Sequence, residues 1–175
     1  MVGRRVTAAE DCGKVGAMTT SDTHVTVSRI IDAPAKDIFA LLTLPAKHPS
    51  FDGSGSVRSA EDTERITKSG EKFVMNMHRE DQGGDYRIHN HVTAFDENKM
   101  VGWQPANDDA PDAPKGWEWL YELRAQDAST TEVVLTYSWD KVTDKKVLEK
   151  VGFPLITEAE LEQSLNLLAA AVSEA

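Results

Sequence analysis

The chain has 175 residues, 40% of them hydrophobic and 27% charged, the size and balance of one globular domain with a sizeable core. A net charge of −10 argues against nucleic acid, whose binders carry a basic footprint, and against a polybasic patch drawn to anionic membranes. The single cysteine, Cys12, excludes an intrachain disulfide and a cysteine-based zinc site.

No apolar run approaches the roughly 18 residues of a membrane span. Arg4-Arg5 are not followed by an apolar segment, so a secretory signal is not expected and the cytoplasm is the expected location. Residues 1–22 are polar, small and aperiodic, with glycines at 3, 13 and 16, and read as a disordered extension. Met18 offers a second start just before the first patterned segment.

Residues 23–175 read as a single domain. His24–Asp32 alternates, with Val25 and Val27 on one face, the period of a strand. Ala33-Pro34 then opens a helix, since Pro suits a first turn, and Ala35–Leu42 gives it an apolar face from Ile38, Phe39, Leu41 and Leu42. Pro45 and Pro49 leave at most a second short helical turn. Strands follow at Ser56–Ala60, Lys72–Arg79, Asp85–Phe95 and Met100–Gln104. A polar, proline-rich loop over 105–116 precedes strands at Trp117–Arg124 and Thr131–Asp140. Thr157-Glu158-Ala159-Glu160 is a capping box, and Leu161, Leu165, Leu168 and Val172 recur behind it at helical spacing. Antiparallel strands with segregated helices make an α+β domain. One sheet face covers the last helix, and the other is free to be wet.

The segment VSRIIDAPAKDIFALLTLPAKHPSFDGSG (27–55), together with GFPLITEAELEQSLNLLAAAV (152–172), resembles the START-like, or SRPBCC, helix-grip superfamily (the Bet v 1-like fold). It is most similar to the bacterial polyketide cyclase/dehydrase and lipid-transport type. The resemblance implies a seven-stranded antiparallel sheet wrapped around a long C-terminal helix, with two short helices after the first strand and an apolar cavity between sheet and helix. Its motifs are structural rather than catalytic.

On that fold one parity of each strand lines the space under the helix. The inward set is Phe73, Met75, Met77, Tyr86, Ile88, Asn90, Val92, Trp103, Trp117, Trp119, Tyr121, Leu135, Tyr137 and Trp139, joined from the helix side by Phe153, Leu161, Leu165 and Leu168. Aromatic walls with a few hydroxyls suit a flat or extended apolar molecule, and methionines make an adaptable wall. The same residues equally serve as ordinary core. Asn90, mid-strand among apolar neighbours, needs a partner if buried, in the protein or in a ligand. Glu71 and Arg79 share the inward parity at strand ends and are expected at solvated rims. Gly152-Phe153-Pro154 would lie at the cavity mouth.

Other chemistry is weaker. His89 and His91 share a strand face with Cα atoms about 6.6 Å apart, a spacing open to joint metal ligation. Gly83, His89, His91, Asp96 and Gly102 approach the cupin metal pattern and miss it. The carboxylate is Asp rather than Glu, the last spacing is one short, and no histidine follows His91. The pair therefore reads as the solvent face of an amphipathic strand, and no metal or cofactor is expected. His48 reads as a loop residue without a visible partner, and Gly53-Ser54-Gly55-Ser56 as a flexible loop lacking the dinucleotide fingerprint. No nucleophile motif assigns a catalytic residue, and oligomeric state has no signal. The expected function is binding of a small hydrophobic molecule, lipid, polyketide or aromatic, in the cavity. The alternatives are a cyclase/dehydrase-type enzyme using the same cavity, where positioning and a tyrosine or water proton relay suffice, and a protein-binding module like chaperone-ATPase activator homologues, which predicts a filled core.

Overall fold

The computed structural model describes residues 19–20, 23–62 and 64–174. Seven strands form one antiparallel sheet: β2 (His24–Ile31), β3 (Val57–Ala60), β4 (Lys72–Arg79), β5 (Gly84–Asp96), β6 (Met100–Asn107), β7 (Glu118–Asp127) and β8 (Thr130–Ser138). A two-residue strand, β1 (Thr19–Thr20), extends the edge beside β2, so the order is β1-β2-β8-β7-β6-β5-β4-β3. Thr19 and Thr20, inside the segment expected to be unstructured, thus pair with Thr26 and Val25. The rest of that extension lies outside the described residues.

The chain's second strand joins its last, while β3 lies at the far edge. The connection that spans them carries α1 (Ala35–Leu42) and a 3-10 helix over Pro45–Phe51. Pro34 is the N-cap of α1 rather than part of its first turn. Helix α3 (Glu158–Ser173) lies against the sheet's inner face, packing on β2, β8, α1 and the 3-10 helix. Leu161, Leu165 and Leu168 are at most 1% exposed, which fits the apolar stripe read from the sequence.

The capping box forms as expected. The Glu160 N–H donates to Thr157 Oγ1 at 3.2 Å, and the Thr157 N–H donates to a Glu160 carboxylate oxygen at 2.8 Å. Thr157→Ala removes one of these bonds and is expected to cost about 1 kcal/mol, read as a lower urea midpoint with an unchanged m-value.

Strand parity holds across the sheet. Val133, Leu135 and Tyr137 are wholly buried, with Phe73 and Met75 at 2%. Strand β6 runs past its expected end at Gln104 to Asn107, with Pro105 opposite Asn90. Strand β7 pairs with β6 only from Met100 to Trp103. Pro105 therefore has one strand neighbour, where a missing N–H is tolerated.

One helix was not anticipated. α2 (Lys145–Val151) is capped by Asp144, whose carboxylate accepts the Lys146 N–H at 2.9 Å, and ends at Gly152 with φ 63°. The signals were Asp144 at the N-cap and Gly after the last turn, but seven residues hold too few apolar positions to show a period.

Candidate functional site

The inward residues gather into two aromatic groups on the sheet's concave face. The first centres on His48, which the sequence left in a loop without a partner. Its ring lies 5.0 Å from Trp103 and nearly parallel to it, 5.2 Å from Phe51 and 5.3 Å from Phe73. Trp103 also stacks on Tyr121 at 5.9 Å. His48 Nε2 lies 2.8 Å from the Leu42 carbonyl, and only its protonated form donates there. The tautomer with the proton on Nε2 is thereby fixed. Burial lowers the His48 pKa from 6.5 to about 4, against smaller raising effects from the Leu42 carbonyl and from Asp52. His48 is therefore a neutral imidazole within the core.

The second group surrounds Tyr137. Its ring meets Trp119 at 4.5 Å, Trp139 at 5.6 Å and Phe153 at 6.4 Å. Phe153 lies flat on Trp139 at 5.7 Å and also reaches Trp117 at 5.7 Å. Gly152, in the left-handed conformation that few other residues adopt, ends α2 and turns Phe153 toward these rings. The Tyr137 hydroxyl is buried and completes no hydrogen bond of good geometry. Desolvation pushes its pKa far up, against a lowering effect from the nearby Leu155 backbone, which lies close enough for a poorly aligned hydrogen bond. Tyr121 is raised in the same way by burial.

The two groups differ in closure. Phe73, Met75, Val92, Tyr121, Leu161 and Leu165 are packed shut, and Trp103 nearly so. Met77, Tyr86, Trp119 and Phe153 are half-buried, while Ile88, Asn90 and Trp117 lie just inside them. The register pairs Met77 with Tyr86, Met75 with Ile88 and Phe73 with Asn90. The inner face thus grades from closed core toward a more open rim at Tyr86. Asn90 is 5% exposed and makes no side-chain hydrogen bond among the described residues.

Two concavities flank this interior. One, about 580 Å³, lies by the β5–β6 turn and the end of β7, with Lys99, Glu122 and Arg124 among its walls. The other, about 350 Å³, is lined by Ser54, Gly55, Ser56, Arg58, His78, Arg79, Glu80, Asp81 and Glu160. Both open to solvent, and neither is walled by the residues assigned to the ligand. Arg79 stands at the end of β4 but is only 17% exposed, less solvated than expected. Glu71 accepts the N–H and hydroxyl of Thr67, which lowers its pKa.

Two loop expectations change. The Gly53–Ser56 segment is a built turn. Asp52 accepts the N–H groups of Ser54 at 3.0 Å and Val57 at 2.8 Å, and the Gly53 N–H donates to Ser164 Oγ on α3 at 2.8 Å. His89 and His91 do lie on the outer face, but they do not simply face water. His89 Nε2 lies 2.7 Å from Asp108 and His91 Nε2 lies 2.7 Å from the Pro111 carbonyl, both in the proline-rich loop. The loop folds back over the sheet, and an Asp112–Lys72 ion pair ties it further. Among the described residues no three His, Cys, Asp or Glu side chains gather as metal ligands, and no helix is long and apolar enough to cross a membrane.

Comparison with known proteins accords with this geometry. A family profile described as activator of Hsp90 ATPase homolog 1-like protein matches residues 32–173. The uncharacterized protein Rv0088 of Mycobacterium tuberculosis is 30% identical over 148 residues, 81% of this chain. The chain spans 62% of that relative's length. Among solved structures, protein Ms6760 of Mycobacterium smegmatis superposes with a TM-score of 0.64 at 18% identity, covering 91% of this chain and 98% of that one. A START superfamily protein of the same organism gives 0.59 at 12% identity, covering 87% and 98%. The Aha1 dimer of Colwellia psychrerythraea gives 0.54 at 19%, covering 85% and 95%. With its helix-gripping sheet and a match over most of its length, the chain belongs to the family of activator of Hsp90 ATPase homolog 1-like proteins, within the START-like helix-grip fold.

Proposed function

We propose that the protein binds a small apolar molecule, ring-bearing or chain-like, between the inner face of the sheet and α3, at the end closed by Phe153. The observation that carries this reading is the Tyr137 hydroxyl, a polar group buried without a good hydrogen bond at the end of a ring packed on three others. Such a group costs stability unless it is satisfied, and a ligand oxygen or nitrogen would satisfy it. Asn90 supports the reading as a second inward polar group without a side-chain partner among the described residues. The ligand's route is the lip over 152–155, where Phe153 covers Tyr137 and Trp139 and is the ring a guest would displace.

The test is titration with the neutral fluorophore N-phenyl-1-naphthylamine, beside native mass spectrometry of protein from its source. Uptake of the probe or a co-purifying molecule is expected, and recovery of a chemically converted guest would make the same site catalytic. Tyr137→Phe should stabilise the unliganded protein by about 1 kcal/mol, since it removes an unsatisfied buried hydroxyl, while weakening binding of the natural guest. A folded protein that takes up no apolar probe and carries no guest would overturn the reading. That result would select a second one, favoured by the closed packing around His48: a module that meets a protein partner on its surface.

A further inference from the structure

The rim of this interior carries a cation in a distinctive place. Arg79 follows Phe73, Met75 and Met77 on one face of β4, so the apolar stripe of the inner wall runs outward into a guanidinium. Its Nε and one Nη bond the two carboxylate oxygens of Asp81 at 2.9 and 3.0 Å, and the other Nη reaches Ser56 Oγ at 3.4 Å. Asp81 is 59% exposed and sits on a three-residue turn. An ion pair with so exposed a partner is held weakly. Arg79 meanwhile also walls the open cleft beside Ser54–Ser56.

We propose that the guest is an amphipathic acid whose carboxylate replaces Asp81 on the Arg79 fork while its apolar body enters beside Met77 and Tyr86. This deepens the ligand-binding reading and rests on it. The planar guanidinium offers two parallel donors matched to a carboxylate, and it already holds one in that geometry. Arg79 pairs with Gly84, two residues along β4 from Met77, which pairs with Tyr86, so it stands at the half-open end of the aromatic wall. The cleft sets Arg58, His78 and Arg79 against Glu80, Asp81 and Glu160, and the whole chain is acidic, so charge alone gives a free inorganic anion little hold. An acid is retained only if an apolar body anchors it, and that requirement selects an amphiphile.

The test uses 11-(dansylamino)undecanoic acid and its methyl ester, two probes with the same apolar body. Charge-assisted bonds favour the acid, but Asp81 has to be displaced, so an acid preference of about fivefold is expected. Arg79→Gln should bring acid and ester to equal affinity. Asp81→Asn, which frees the fork and suits the case where the Arg79 variant fails to fold, should raise the acid preference. Equal binding of acid and ester by the wild type, a preference that survives Arg79→Gln, or one that Asp81→Asn fails to raise overturns the inference while the ester still reports an apolar site. Binding of neither probe overturns both this inference and the reading beneath it.

Discussion

Lowering the pH from 7 to 4.5 is expected to destabilise the protein by about 2 kcal/mol through His48 alone, reckoned from its lowered pKa at about 1.4 kcal/mol per unit. The unfolded chain takes up a proton near pH 6.5, whereas the folded imidazole stays neutral down to about 4. Within that window the unfolded state binds more protons, so stability rises with pH. The contribution is fully present above 6.5 and is lost as pH falls toward 4. The carboxylates of Asp81, Asp108, Asp112 and Asp127 have lowered pKa values, so their stabilisation fades only below the ordinary carboxylate range. His78, held by Asp85 and Glu80 with a raised pKa, acts in the opposite direction, its stabilisation being lost as pH rises. Urea unfolding of the wild type and of His48→Gln at steps from pH 7 to 4.5 checks the assignment. Gln retains a donor for the Leu42 carbonyl but cannot titrate. The variant should be weaker at pH 7, for want of the ring stack with Trp103, and nearly flat below it. A variant as pH-sensitive as the wild type would clear His48 of the effect.

His48 also shows where sequence reading stops. The strands were legible because a period of two sets Phe73, Met75 and Met77 on one face, and the same rule put Tyr137 and Asn90 on the inner face. The 3-10 helix over Pro45–Phe51 repeats every three residues. That period sets Pro45, His48 and Phe51 on one buried face, but two turns interrupted by Pro49 are too short for the spacing to show as a helix. The outer-face histidines illustrate a different limit. Their parity was readable, but the loop that covers them has no period, and its docking through Asp108 and Pro111 is a long-range event. The chemistry of the site divides in the same way. The aromatic inventory was visible in the sequence, whereas the lack of a good bond at Tyr137 and the Asp81 fork on Arg79 exist only once strands and turns meet.

Gly53→Ala is expected to cost about 3 kcal/mol, at the upper end for overpacking a tight contact, and to disturb binding as well. A Cβ at Gly53 would lie 2.1 Å from the Glu160 carbonyl oxygen, 2.6 Å from the Ser164 nitrogen and 2.9 Å from Ser164 Oγ. The first two are backbone atoms of α3 and have no rotamer with which to retreat. The loop is equally fixed, because Asp52 holds Ser54 and Val57 behind it. Either the turn lifts off or the first turns of α3 shift, and the Gly53–Ser164 hydrogen bond is lost in both cases. Ser164→Ala deletes that bond without adding bulk and should cost only about 1 kcal/mol. Gly55→Ala is the control for backbone strain, since Gly55 has φ 70° but open space around its Cβ position; its cost is expected at about 1 kcal/mol. Thermal unfolding of the three variants separates close approach from bonding and from strain. If Gly53→Ala proves no worse than Ser164→Ala, the approach of turn to helix is not rigid. Ser54, Gly55, Ser56, Arg79 and Glu160 all line the same cleft. A turn pushed off α3 therefore reshapes that cleft, and Gly53→Ala should weaken the acid preference of the dansyl probes at temperatures where the variant remains folded.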